Sequence, residues 1–219
     1  MLAGGKLNVT FCMNSVDEWL KRLGDKWVFS PFPVKITTMD TLFDLQPNLS
    51  NDLLILRPLR EEDFEDLFAV ASDPLIWEQH PAKERSQRAG FTTFFREAME
   101  SKGTLVAIDP RIQKIIGSSR YHPVKETSGA IEIGWTFLAR SYWGGVYNRA
   151  MKELMINHAF RFVPHVLLFI HPDNQRSQQA ARKIGGERIT SLDGQELSTR
   201  PTASVIYDIA REKWIAERP

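Results

Sequence analysis

Hydrophobic and polar positions change period part-way through Ile131–Phe162, and the rest of the chain can be read around that change. Ile131, Ile133, Trp135 and Phe137 alternate with Glu132, Gly134, Thr136 and Leu138, the period of two that a strand imposes. Both sets are largely apolar, which predicts a mid-sheet strand covered on both faces. From Met151 onward, Met151, Leu154, Met155, His158, Ala159 and Phe162 share one face of a helix instead. Gly144 and Gly145 stand between the two and open backbone conformations closed to other residues. The helix after them begins with unpaired N–H groups at the positive end of its dipole. Such a place suits an anion, most often a phosphate.

The same patterning assigns the remaining elements. Leu53–Leu59 reads as the first strand, followed by a helix whose acidic start is Glu61, Glu62 and Asp63 and whose apolar face is Phe64, Leu67, Phe68 and Ala71. Asp73-Pro74 stops it. Ala82–Lys102 reads as a second helix, with Phe91, Phe94, Phe95 and Met99 turned inward. Thr104–Ile108 and Ile115–Tyr121 form a hairpin around Asp109-Pro110. His165–Ile170 is a short, wholly apolar run, as expected of a buried strand. Asn174–Ile184 is helical and ends at Gly185-Gly186. Ser204–Ile209 is the last strand, reached past an Asp193-Gly194 turn, with a further strand open near Arg188–Thr190. The order β-α-α-β-β-β-α-β-α-β-β predicts an α+β fold with a mixed sheet flanked by helices.

Residues 1–40 read as an extension ahead of a domain spanning 41–219. Ser15 and Glu18 make a capping box, and Val16, Trp19, Leu20 and Leu23 share one face of a helix too short to persist unaided. It must dock on its own domain or on another subunit, so a homodimer is among the expectations. Ser30-Pro31-Phe32-Pro33 is a linker.

Composition narrows the class. The chain has 219 residues, 42% hydrophobic and 25% charged, with a net charge of +1. That is an ordinary globular balance, with no electrostatic case for nucleic acid or a membrane surface. Cys12 is the only cysteine, which excludes an intrachain disulfide and a cysteine-based metal cluster. No apolar run approaches a membrane span and the start lacks a signal-peptide pattern, so the expected location is cytoplasmic. The five histidines show no HxxxH or HExxH spacing, and no metal is expected.

The glycine turn carries neither the GxGxxG nor the GxxxxGK pattern of common phosphate loops. Taken alone, it could be a strand-to-helix turn capped by Asn148. Its run WGGVYN-RAMKELMINHAF resembles the pyrophosphate loop of the GNAT acetyltransferases, Q/R-x-x-G-x-G/A, in the form used by ribosomal-protein N-terminal acetyltransferases. Val146 stands where that form has its second glycine, and Asn148 where it has alanine. One strand later, HPDNQRSQQAARKIGG resembles a second GNAT signature, NxxSxxxxEKxGF, matched by Asn174, Ser177, Lys183 and Gly185. Arg182 replaces the frequent acidic residue and Gly186 the frequent phenylalanine. Two such patterns in the family's order, within a resemblance running from about Thr41 to Trp214, imply a GNAT-like fold and an acetyltransferase that uses acetyl-CoA as cosubstrate.

The resemblance implies coenzyme contacts from Thr136, Phe137, Leu138, Trp143, Gly144, Gly145, Val146, Tyr147, Asn148, Asn174, Ser177 and Lys183. Arg140, Arg149 and Lys183 are candidate cations for its phosphates. The pantetheine arm can pair with the edge Thr136–Leu138 as an extra strand would, and the N–H of Phe137 or Leu138 can face the thioester oxygen. The acceptor is expected beside Trp77, His80, Arg120 and His122. An amine must be neutral to attack, and a protein α-amino group is neutral more often at pH 7 than a lysine, by about 3.3 kcal/mol. Glu132 is the candidate base, its pKa expected to rise on an apolar strand. A structural hydrogen bond is its plainer role, and His122 and His171 are lesser candidates. Ser177 is placed near the departing sulfur. The expected activity is N-acetyl transfer to a protein N-terminus or a small amine. The alternatives are a silent acyl-CoA-binding module and a partner-binding protein acting through Val16–Leu23.

Overall fold

The computed structural model describes residues 43–125, 127, 129–197 and 204–217. The amphipathic helix and linker expected in residues 1–40 lie outside them. Eight strands form one sheet: β1 (Leu49–Ser50), β2 (Ile55–Pro58), β3 (Thr104–Asp109), β4 (Lys114–Pro123), β5 (Ala130–Leu138), β6 (His165–Ile170), β7 (Glu187–Ile189) and, after a separate hairpin, β10 (Val205–Ala210). They stand in the order β1-β2-β3-β4-β5-β6-β10-β7. Every neighbouring pair is antiparallel except β5 and β6. This is the mixed α+β sheet expected from the periodicity. The separate hairpin, β8 (Ser191–Leu192) and β9 (Gln195–Glu196), closes through Asp193 and Gly194, both at positive φ, the turn that an Asp-Gly pair favours.

Helices cover both faces. On one, α3 (Tyr147–Ala159) and α4 (Gln175–Lys183) pack Met151, Met155, Ile156 and Ala181 against Leu105, Tyr121, Ile133 and Leu168. The Tyr121 hydroxyl donates to the Met155 carbonyl (2.7 Å), tying sheet to helix through the core. On the other face, α1 (Phe64–Ala71) and α2 (Arg88–Glu100) build an aromatic cluster of Trp77, Phe91, Phe94 and Phe95 over Val106 and Phe137. A last helix, α5 (Arg211–Ala216), which the apolar pattern does not announce, buries Trp214.

Three local expectations need correcting. The helix expected over Ala82–Lys102 is broken: a 3-10 turn at Lys83–Ser86 precedes α2, with Gln87 extended between them. The turn folds back so closely that the Glu84 carbonyl lies 2.2 Å from where a Gly90 Cβ would stand, an approach only glycine permits. The second correction concerns α3, which begins at Tyr147; Val146 is its N-cap residue and caps nothing with its side chain, so Asn148 is not the cap. Finally, the first strand is shorter than Leu53–Leu59 and is preceded by β1.

Candidate active site

β5 and β6 pair at Ala130–His165, Ile131–Val166 and Glu132–Leu167, and then part. The cause is a bulge in β5. Ser118 faces Phe137 and Arg120 faces Gly134, so Trp135 and Thr136 together oppose Ser119. Trp135 takes the left-handed backbone region (φ 50°), rare for a bulky side chain and a strain of about 1–3 kcal/mol. Beyond the bulge, residues 134–138 of β5 and 168–170 of β6 become opposite walls of a cleft of about 590 Å³.

One end of the cleft is the glycine bend. Gly144 has φ 70°, and no atom lies within 4 Å of a Cβ built on Gly144 or Gly145, so the backbone there faces open space. Trp143, Gly144, Gly145, Asn148, Arg149 and Lys183 line this end; Val146 and Tyr147 do not. Of the two residues that depart from the family's form, Val146 is therefore turned away from the cleft, whereas Asn148 lines it. Val146 is exposed, while the Tyr147 hydroxyl receives a hydrogen bond from Arg111 (2.5 Å), itself paired with Asp109 (2.6 Å). The Asp109 carboxyl also accepts from Tyr142 (3.0 Å), and these partners hold it well below the usual carboxylate range. The network fastens the bend to the β3–β4 turn. Arg140 is committed to Asp73 and is not among the cleft-lining residues.

Along β5, the Ala139 N–H donates to the Ile116 carbonyl (2.8 Å). By antiparallel alternation, Phe137 then turns its main-chain groups to β4, while Leu138 turns its own to the open side. Of the two oxyanion donors considered, Leu138 is the one on the cleft side. Its carbonyl already accepts from the Trp143 indole (2.8 Å). Arg176 stacks on Trp143 at 4.0 Å and donates to the Ile76 carbonyl (2.9 Å), joining α4 to the segment after α1.

At the start of α4, buried Asn174 accepts from the Ser177 N–H (3.1 Å) as an N-cap, and both residues line the cleft. The Ser177 hydroxyl makes no hydrogen bond among the described residues.

The acceptor candidates divide. Trp77 and His80 line the cleft; Arg120 and His122 do not. Arg120 lies under Trp135 (4.6 Å) and donates to Thr104 (2.9 Å), while His122 meets the same indole edge-on. Both therefore support the bulge rather than wall the cleft. Glu132, opposite His122 in the sheet, is 2% exposed and is also outside the lining. Its Oε1, however, lies 2.8 Å from where a Gly134 Cβ would stand. Gly134 is part of the wall, so the carboxylate sits directly behind it. His171, the other lesser base candidate, lines the cleft.

Sequence reading missed Lys152 and Arg85. Lys152, on α3, lines the cleft and donates to the Thr136 hydroxyl (2.7 Å), which in turn meets Ser119 (2.7 Å). Burial pulls its pKa from 10.5 down to about 7. A signal was available: Lys152 is four residues from both Asn148 and the fully buried Ile156, on the inner edge of the helix face. Arg85 lies in the segment read as helix, so its placement could not have been found.

A family model described as an acetyltransferase (GNAT) domain matches residues 54–187. The chain belongs to the GNAT acetyltransferases. Solved structures agree on the fold. A GCN5-related N-acetyltransferase from Brucella melitensis superposes with a TM-score of 0.64 at 18% identity, covering 78% of this chain and 81% of its own. A GNAT-family acetyltransferase from Bacillus anthracis gives 0.58 at 19% identity, over 76% and 99%. A Vibrio cholerae protein named for ribosomal-protein-serine acetylation gives 0.56 at 14% identity, over 75% and 97%. Comparison with curated protein sequences gives no significant match. Among the described residues of this GNAT protein, no helix is long and apolar enough to cross a membrane, and no group of three or more His, Cys, Asp or Glu side chains could hold a metal.

Proposed function

We propose that this GNAT protein transfers an acetyl group from acetyl-CoA to a primary amine by direct attack, without an acyl-enzyme. The observation that carries the reading is the parting of β5 from β6 after Glu132, with an open glycine bend at one end of the gap. The residues fit the coenzyme. Main-chain donors from Gly144 onward and the cations Arg149 and Lys183 suit its phosphates. The free edge around Thr136–Leu138 suits a peptide-like pantetheine arm, although Trp143 already occupies one carbonyl of that edge.

In the reaction an amine nitrogen–carbon bond forms, the carbon–sulfur bond of the thioester breaks, and the coenzyme leaves as thiol. Glu132, directly or through one water past Gly134, takes the proton the amine must lose. The Leu138 N–H faces the oxygen on which negative charge grows. Ser177 supplies its hydroxyl proton to the departing sulfur and regains one from solvent. Lys152 holds Thr136, and through it Ser119, in place at the bulge.

The Trp143 indole on the Leu138 carbonyl, with Arg176 stacked over it, favours a second reading: a silent acyl-CoA-binding module. Free-thiol release from acetyl-CoA across a panel of amines separates the two. Turnover with any amine supports the transferase. Stabilisation of the protein by coenzyme against heat, with no amine turned over, supports the silent module.

A further inference from the structure

The end of the cleft away from the glycine bend belongs to a segment that sequence reading placed in a helix. Because the turn Lys83–Ser86 folds back on Gly90, Arg85 reaches the cleft wall beside Trp77 and His80. Its guanidinium lies 4.7 Å from the centre of the Phe94 ring and 5.6 Å from that of Trp77. Aromatic faces satisfy the plane of a guanidinium but not the five N–H donors on its rim. Among the described residues the Arg85 guanidinium has no hydrogen bond and no ion pair; only its main-chain N–H is used, donating to the Ala82 carbonyl (3.4 Å). Glu84 and Glu97 act on it only through space, and burial pulls its pKa below the ordinary arginine value.

The lining is cationic: among the described residues no aspartate or glutamate lines the cleft, and the Glu132 carboxylate lies behind the wall at Gly134. Arg149 and Lys183 stand at the coenzyme end, and Arg176 is already given to the Ile76 carbonyl and the Trp143 ring. Beside Arg85, the His80 Nδ1 accepts the Ala82 N–H (3.0 Å), which leaves the ring proton on Nε2. Burial, with Arg85 and His171 nearby, pushes the pKa of His80 down to about 4, so it stays neutral at pH 7 and acts as a donor. A rim of unused guanidinium donors beside a neutral N–H donor is a receptor for an oxyanion.

We propose that the acceptor is a primary amine bearing a carboxylate or phosphate group, which Arg85 receives at the aromatic end of the cleft. This rests on the acetyl-transfer reading above and selects within it. Polyamines and aminoglycosides, which bring only positive charge, meet Arg85 with like sign.

The test uses the whole chain, acetyl-CoA, and thiol release with glycine, glycinamide, O-phosphoethanolamine and spermidine. The expected result is that kcat/KM for glycine or O-phosphoethanolamine exceeds that for glycinamide and spermidine by about tenfold or more. Amidation lowers the amine's own pKa, so chemistry alone would favour glycinamide. The better of the two anionic amines tells carboxylate from phosphate. Arg85→Met should abolish the preference by raising KM for the anionic amine, with kcat and the KM for acetyl-CoA held within about twofold. Arg85→Lys should retain part of it.

Glycinamide or spermidine matching the anionic amines in the wild-type protein overturns the assignment and leaves acetyl transfer standing. An Arg85→Met loss equal for every amine also overturns it, marking the residue as a strut. If no amine of any charge releases thiol, both readings fall together.

Discussion

The two ends of the cleft are built from different materials. The end proposed for the coenzyme is main chain: a glycine bend, the first turn of α3 and the free edge of β5, contiguous over residues 136–149. The end proposed for the acceptor is side chain: Trp77, His80, Arg85 and Trp135, drawn from three separate segments and held by ring and cation–π contacts that run through Phe94 and Arg120. Backbone donors recognise what every acyl-coenzyme A has in common, its diphosphate and amides. Side chains from scattered segments can be exchanged one at a time without disturbing that recognition. One end is therefore suited to a fixed cosubstrate, and the other to a particular acceptor.

This contrast can be broken most sharply at the bend. Gly145→Glu places a carboxylate in space that is empty in the protein itself, so thermal stability should hold while acetyl-CoA affinity falls about a hundredfold. Isothermal titration reads both the affinity and its enthalpy; unchanged affinity would remove the bend from coenzyme binding. Next comes the base. Glu132→Gln should lower kcat/KM about a hundredfold at neutral pH and less at alkaline pH, where the amine deprotonates unaided. Equal losses at both would make Glu132 structural. Gly134→Ala tests the same carboxylate without altering it. The new Cβ would stand 2.8 Å from Oε1, so turnover should drop about tenfold while acetyl-CoA affinity is kept.

Smaller effects sharpen the comparison further. Lys152 lies between the two ends, and burial holds its folded pKa at about 7 against an ordinary 10.5. Between those values the unfolded chain binds the extra proton, so stability from this site rises as pH climbs from about 7 to about 10.5 and is lost on the way down. Urea unfolding of Lys152→Met should show a flatter dependence between pH 7 and pH 9, by about 2 kcal/mol at most. A slope identical to that of the wild type would mean that Lys152 keeps its charge in the folded protein. The smallest change is at Ser177→Ala, where kcat should fall about threefold with the KM for acetyl-CoA unmoved. An unaffected rate takes the hydroxyl out of the mechanism.

Much of the local structure at the glycine-bend end was legible in advance. The period-two run of β5, the helical face of α3, the paired glycines and the Asn174 cap are consequences of neighbours in sequence, and local rules reach them. The same rules misplaced Arg85. The helical spacing of Phe91, Phe94 and Phe95 has no counterpart in residues 82–87, and the extended Gln87 and the close seat of Glu84 on Gly90 take that stretch out of the helix. They were equally silent on the bulge, because nothing local asks Trp135 to enter the left-handed region. Arg120 and His122, packed on its ring from a neighbouring strand, favour that.

By itself, then, the amino-acid sequence determined the order of the main strands and helices, the glycine bend and membership in a family, since each is written in period, turn chemistry or a contiguous motif, while β1 and α5 carry no such mark. Tertiary structure alone decided that β5 parts from β6, that Glu132 stands behind Gly134, that Lys152 is buried and that Arg85 reaches the cleft. Each of these depends on which distant side chains share a space, and the burial that pulls down the pKa of Lys152 exists only once the chain has closed around it.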